Sequence, residues 1–173
     1  MAGKLMIETE RLLLREFDEA DVSSFYLLGS EPAVMRFLGD RLTSIEQALE
    51  VLRTRPIADY RKHGYGRWAC IDKASGELIG FSGLKYLDDL QEVDLGYRFL
   101  PAYWGRGLAT ESGRAVLDYG FAKLGLPEII GLVAPENSAS VRVLEKLGFA
   151  FVRIIEYFAR PTAKYAISAP ACR

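Results

Sequence analysis

Histidine and cysteine are almost missing from this chain of 173 residues: one His, His63, and two Cys, Cys70 and Cys172. A single imidazole excludes a multi-histidine metal site. It also leaves His63 as the only residue on which a Ser-His-Asp triad could be built. His63 stands in Lys62-His63-Gly64, which reads as a helix end, where a cation is favoured. Two cysteines exclude a disulfide framework. No charge of one sign dominates, with 22 Lys and Arg against 23 Asp and Glu and a net charge of −1. That balance lacks the basic excess of nucleic-acid domains. No apolar run approaches the ~20 residues that a membrane helix needs. The opening MAGKLMIETER turns acidic before an apolar stretch long enough for a signal peptide. Repeats, low-complexity tracts and linker-like stretches are also missing. These absences point to a soluble, cytoplasmic protein that needs no metal and binds neither nucleic acid nor membrane.

What remains is ordinary globular material. Hydrophobic residues make up 50% and charged residues 26%, as in soluble domains. The length suits one domain, residues 1–173, able to fold on its own core.

Periodicity and caps order the chain. Residues 5–15 mix apolar and polar positions and read as one opening strand. Asp18 and Asp21 are placed as N-cap and third helical residue, with Phe17 and Val22 as a hydrophobic staple. The helix they open runs to about residue 28 and stops at Gly29. Pro32 opens a short helical piece around 34–38. Thr43-Ser44-Ile45-Glu46 reads as a capping box for a helix to about residue 62. Pro56 kinks or splits that helix, because it lacks the N–H that bonds one turn back. Strands at about 67–72, 77–86 and 91–100 have connections too short for a crossover and form an antiparallel meander. Leu108, Ser112, Val116 and Tyr119 make a helical stripe within 107–123. Glu128 then begins the strand EIIGLVA, so that strand, helix and strand across 91–134 form a right-handed crossover with parallel strands. A helix at about 138–147 ends on Gly148-Phe149, a left-handed C-cap with an apolar residue after it. Strands at about 150–158 and 163–168 follow.

Two helix starts carry the chemistry. In Phe99-Leu100-Pro101-Ala102-Tyr103-Trp104-Gly105-Arg106-Gly107-Leu108-Ala109-Thr110, a strand passes through a two-glycine loop into a helix. Gly105 and Gly107 permit positive φ and close approach. Successive loop N–H groups form an anion nest, and the helix start adds unpaired donors and a positive dipole end. That is a way to hold a pyrophosphate. The loop is no Walker A, and it fails the third glycine of a dinucleotide fingerprint at Thr110. Asn137 and Ser140 open the second helix; both are also favoured caps. The two helix starts lie at the same end of two parallel strands, where ligand crevices form.

The Trp-Gly-Arg-Gly-Leu-Ala loop resembles the Q/R-x-x-G-x-G/A acyl-CoA motif of the GNAT acetyltransferase superfamily. The run N-x-x-S-x-x-x-L-E-K-L-G-F from Asn137 to Phe149 is similar to that family's following helix. The opening Glu8-Thr9-Glu10-Arg11-Leu12-Leu13-Leu14-Arg15, and Pro32-Ala33-Val34-Met35 after it, resemble the branch of ribosomal-protein N-terminal acetyltransferases. The likeness spans about residues 7–168, in the family's order.

The resemblance implies one acyl-CoA N-acyltransferase domain of α/β (α+β-like) class. Its central sheet is mixed and mostly antiparallel, with about seven strands, about four helices and a splayed parallel pair. It implies acetyl-CoA as co-substrate and an amine acceptor, either a peptide N-terminus or a small amine. The CoA pyrophosphate would lie on backbone N–H groups of Trp104, Gly105, Arg106, Gly107, Leu108, Ala109 and Thr110. Trp104 departs from the family's Gln or Arg, a change that a backbone site tolerates. Arg106, Arg142 and Lys146 would screen the phosphates, and Asn137 would bond the pantetheine arm. Among Arg98, Phe99 and Leu100, one N–H would polarise the thioester carbonyl. Asp94 stands where relatives place a carboxylate base, with Glu92 as alternate two residues earlier on the same face. Many relatives carry a tyrosine acid four residues after the Ser140 position; Leu144 stands there, so Ser140 is the acid candidate. Glu92 and Asp94 are expected to give the acceptor pocket an acidic lining suited to a cationic amine. Phe37, Tyr65, Trp68 and Tyr157 are candidate lining residues. Neither cysteine has the context of an acetyl carrier, so the amine is expected to attack directly in a ternary complex. A rival reading is an inactive acyl-CoA-binding sensor or interaction module; it predicts loss of Asp94, Glu92 and Ser140, and all three are present. The chain is expected to be a monomer or a homodimer.

Overall fold

A computed structural model describes residues 3–171; Cys172 lies outside the described residues. Eight strands form one sheet in the order β1-β2-β3-β4-β5-β6-β8-β7. They are β1 (Leu5–Glu8), β2 (Leu12–Arg15), β3 (Arg67–Asp72), β4 (Leu78–Leu87), β5 (Glu92–Phe99), β6 (Glu128–Val133), β7 (Ala150–Tyr157) and β8 (Arg160–Ser168). Every neighbouring pair is antiparallel except β5 and β6, which run parallel.

The class is as the resemblance implies, but the strand count rises from about seven to eight. The expected single strand over 5–15 is a hairpin. Thr9 folds it, accepting the Leu12 N–H on its hydroxyl at 3.0 Å and donating its own N–H to the Leu12 carbonyl at 2.9 Å. A hydroxyl that bonds backbone in this way competes with strand extension.

Helices α1 (Val22–Ser30), α2 (Pro32–Met35), α3 (Ile45–Thr54) and α4 (Pro56–His63) precede β3; α5 (Leu108–Ala122) and α6 (Ser138–Lys146) come later. Six helices stand beside the about four expected, the additional pieces being those that Pro32 opens and Pro56 splits off, as the sequence indicates. Pro56 occupies the first turn of α4, so the 44–62 segment splits at Arg55. Pro32 keeps Glu31 extended at ψ 115°, which ends α1 at Ser30 and not at Gly29. Gly29 serves packing instead: a Cβ there would stand 2.4 Å from Leu42 Cδ1. The Asp18 and Asp21 capping box forms as expected, over a short 3-10 turn ahead of α1. The second box is shifted by one residue. Ser44 caps α3 by accepting from Gln47 N at 3.1 Å, and Gln47 Oε1 accepts from Thr43 N at 2.8 Å.

Apolar clusters cover both faces of the sheet. Trp68, Leu84, Leu95 and Phe99 pack with Val116, Leu117 and Leu144 under α5 and α6. Phe17, Phe25, Leu28, Leu52 and Phe81 pack under α1 and α3. Trp68 and Tyr65 belong to the first cluster and are buried in it, so they do not line an acceptor pocket. No described helix is long and apolar enough to cross a membrane.

The parallel join is the irregular place. β4 and β5 stay in register from Gly80↔Phe99 to Leu87↔Glu92, whereas β5 and β6 match only at Asp94↔Ile130. Beyond that pair the strands part and share no ladder.

Candidate active site

The loop after β5 folds back on its own backbone. Trp104 N–H donates to the Pro101 carbonyl at 3.1 Å, and the Trp104 indole Nε1–H donates to the Phe99 carbonyl at 2.7 Å. Trp104 therefore ties the loop to the strand end. Gly105 and Gly107 adopt φ of +72° and +76°, left-handed values that favour glycine. The first backbone bond inside α5 is from Glu111 N–H to the Gly107 carbonyl at 2.9 Å. Among the described residues, the N–H groups of 105–110 have no backbone partner. They form one run of free donors at the positive end of a 15-residue helix. A Cβ on Gly105 would meet nothing within 4 Å, and one on Gly107 only Arg11 Nη2 at 3.7 Å. A pyrophosphate fits such a cradle. Leu108 gives only its backbone, since its side chain is buried. The side chains of Arg106 and Arg142 are exposed, and Arg106 lies over the Tyr103 ring at 5.2 Å.

A latch from the opening hairpin holds the loop. Glu111 accepts from Thr9 Oγ1 at 2.7 Å, Arg11 N at 2.9 Å and Arg11 Nε at 2.7 Å, and Arg11 Nη1 donates to the Arg106 carbonyl at 2.8 Å. Burial raises the Glu111 carboxyl's pKa, but these bonds outweigh it and the net direction is down.

At the gap, ladder alternation selects one donor. Leu100 N–H bonds the Ile79 carbonyl on β4 at 2.9 Å. Strand N–H groups alternate sides, so Phe99 N–H points toward β6, and those of Arg98 and Leu100 toward β4. Across the gap, Asn137 caps α6 by accepting from Ser140 N at 3.3 Å. That leaves the Asn137 amide nitrogen free to donate. Ser140 Oγ lies 2.8 Å from the Tyr97 hydroxyl. Burial pushes the Tyr97 phenol up to about 12.

The opposite face of β5 carries the carboxylates. Asp94 is buried; its Oδ2 accepts from Arg67 Nη2 at 2.6 Å and its Oδ1 from Leu132 N at 3.2 Å. Asp94 thus bridges the splay to β6. Burial raises its pKa, with the Arg67 charge and hydrogen bond opposing. Glu92 takes Lys164 Nζ on both oxygens at 2.7 Å. Each carboxylate has its own cation, so the expected acidic lining is neutralised. The Arg67 guanidinium lies across glycine: a Cβ on Gly96 would meet its atoms at 2.4–2.6 Å. Arg67 Nη1 also donates to the Gly83 carbonyl at 2.8 Å and the Asp94 carbonyl at 3.1 Å.

The donor loop follows the C-terminal end of β5 and Asn137 and Ser140 open α6 after β6, whereas Asp94 and Glu92 lie nearer the start of β5. Sequence reasoning passed over Tyr97 and Arg67. The period-2 alternation that puts Asp94 on one face puts Tyr97 on the other, facing the helices, so that signal was present. For Arg67 the only signal was Gly83 and Gly96, which become opposite partners only once register is known.

Residues 11–150 match the family described as "Acetyltransferase (GNAT) domain". The uncharacterized N-acetyltransferase YoaA of Bacillus subtilis is 35% identical over 146 residues, covering 83% of this chain and 82% of YoaA. A GNAT-family acetyltransferase from Bacillus anthracis superposes with a TM-score of 0.80 at 26% identity, covering 94% of this chain and 97% of that one. A ribosomal L7/L12 alpha-N-protein acetyltransferase solved with coenzyme A shares the fold, with a TM-score of 0.82 at 17% identity over 96% and 98% of the two chains. Matched over most of its length in sequence and fold, the chain belongs to the GNAT family of N-acetyltransferases.

Proposed function

We propose that this chain transfers the acetyl group of acetyl-CoA to a primary amine, by direct attack in a ternary complex. The observation that carries the reading is the run of free N–H donors at 105–110, set at the mouth of the splay between β5 and β6. Acetyl-CoA supplies an activated acetyl thioester. Residues 105–110 hold its pyrophosphate through backbone, with Arg106 and Arg142 screening charge and Asn137 donating to the pantetheine arm. Phe99 N–H stabilises the negative charge that develops on the carbonyl oxygen. As the C–N bond forms and the C–S bond breaks, Asp94 takes the amine's proton through a water. Its lifted pKa suits a base; Glu92 is the alternate. Ser140 gives a proton to the departing sulfur and regains one from solvent through the hydrogen-bonded Tyr97 hydroxyl. Cys70 is buried and its thiol is pushed up by burial, which supports direct attack over an acetyl-cysteine. The acceptor is a peptide N-terminus or a small amine.

A binding-only reading draws support from one observation: both candidate bases are held in ion pairs. Two measurements separate the readings. Calorimetric titration is expected to show saturable binding of acetyl-CoA, with none of NAD or ATP. Thiol release on adding amines is expected to show turnover. Absence of acetyl-CoA binding overturns the proposal; binding without thiol release against peptides, amino acids and polyamines leaves only the sensor.

A further inference from the structure

We propose that the acceptor carries a carboxylate, and that the Arg98 guanidinium is its anchor. This rests on the acetyl-transfer reading above and names the acceptor class for that site.

Charge matching on the acceptor face of β5 leads to Arg98. Asp94 is matched by Arg67, Glu92 by Lys164, and Asp59 on α4 by Lys85 at 3.5 Å. Arg98 is left over. Among the described residues, its guanidinium makes one polar contact, from Nη1 to Met35 Sδ at 3.4 Å, and thioether sulfur is a weak acceptor. It rests on the Phe81 ring at 5.2 Å. Burial, then the positive fields of Arg67 and Arg55, lower its pKa to about 10. Its remaining donors are not sealed in the core. A desolvated guanidinium without an oxygen partner is costly to maintain. A carboxylate meets its planar fork with two parallel bonds.

Placement adds the reach. Arg98 directly precedes Phe99, whose N–H faces the acetyl gap. Anchor and acetyl gap thus belong to neighbouring residues of β5, so one molecule carrying both an amine and a carboxylate can reach both. Free amino acids carry both groups; an acidic side chain beside a peptide N-terminus supplies the same chemistry. A polyamine would bring like charge to Arg98, Arg67 and Arg55.

The test titrates CoA-saturated enzyme, which cannot turn over, with the twenty amino acids, their C-terminal amides, acidic N-terminal dipeptides and spermidine. At least one carboxylate-bearing amine is expected to bind about 10- to 100-fold more tightly than its amide. Free amino acids and dipeptides separate the two sources. Arg98→Gln is expected to abolish the difference and Arg98→Lys to restore part of it, with acetyl-CoA affinity retained in both because the donor site uses backbone. Amides binding as well as acids, tightest binding of spermidine, or no binding by any acid overturns the proposal. Failure of the unmodified enzyme to bind acetyl-CoA overturns the acetyl-transfer reading instead.

Discussion

The Tyr97 hydroxyl faces Ser140 Oγ at 2.8 Å, and burial holds it protonated, with its pKa pushed up to about 12. In the proposed reaction the two hydroxyls, bonded in either sense, act together as a relay toward the departing thiolate. Tyr97→Phe and Ser140→Ala are each expected to lower kcat by about 10- to 100-fold. The double variant is expected to lose little more than either alone, because the two act as one unit. Multiplying losses in steady-state assays would break the relay. Asp94 gives a second prediction, on rate and stability. Burial raises its pKa above the unfolded value, so its contribution to stability is present in acid and is lost as pH rises through the folded pKa. In urea melts between about pH 4 and 7, Asp94→Asn should gain on the unmodified chain as pH rises. A gap constant with pH would mean that the pKa does not change on folding. In turnover, the same variant should lose most above the Asp94 pKa, where the carboxylate is ionised and the amine still arrives protonated, and variant and unmodified enzyme should converge in acid; an unchanged pH profile transfers the base role to Glu92 or to water.

Regular elements were legible in the sequence because their signals are local. The stripe from Leu108 to Tyr119, the left-handed Gly148 at φ +96° and the split at Pro56 each depend on a few neighbouring residues. The opening hairpin was misread as one strand because its cause, the Thr9 hydroxyl bonded to Leu12 N–H, leaves no mark in the apolar pattern, and Thr9's other partner, Glu111, is 102 residues away. The same distance hid the latch that aims the donor loop. Gly107 tests that loop as an element. At φ +76° an L-residue is strained by about 1–2 kcal/mol, and a branched side chain also crowds the nest. Gly107→Val is expected to weaken acetyl-CoA binding by about tenfold or more in calorimetry; unchanged affinity removes the loop from the donor site.

Over the whole molecule, the fold class was readable from the order of elements, but the electrostatics of the acceptor face was not. Glu92 and Asp94 read as acidic along the chain. Only the sheet brings Lys164 and Arg67 from distant strands to meet them, and leaves Arg98 unmatched. Donor binding should stabilise the entire fold, since its contacts come from two helices on different strands. Acetyl-CoA at about 100 times its Kd adds ~2.7 kcal/mol, a rise of roughly 5–10 °C in melting temperature at this size. Calorimetric scans without any shift would contradict the assigned site. The strand order also bears on synthesis. β8 is made after β6 and β7, yet it lies between them, paired with β6 from Glu128↔Ser168 to Val133↔Ala163 and with β7 from Ala150↔Ala166 to Tyr157↔Arg160. While a ribosome is still adding residues before 160, the edge of β6 has no partner and β7 has nothing to join. A nascent chain stalled there therefore carries both candidate bases and the donor loop beside an open sheet edge, the kind of edge that chaperones cover and aggregates recruit.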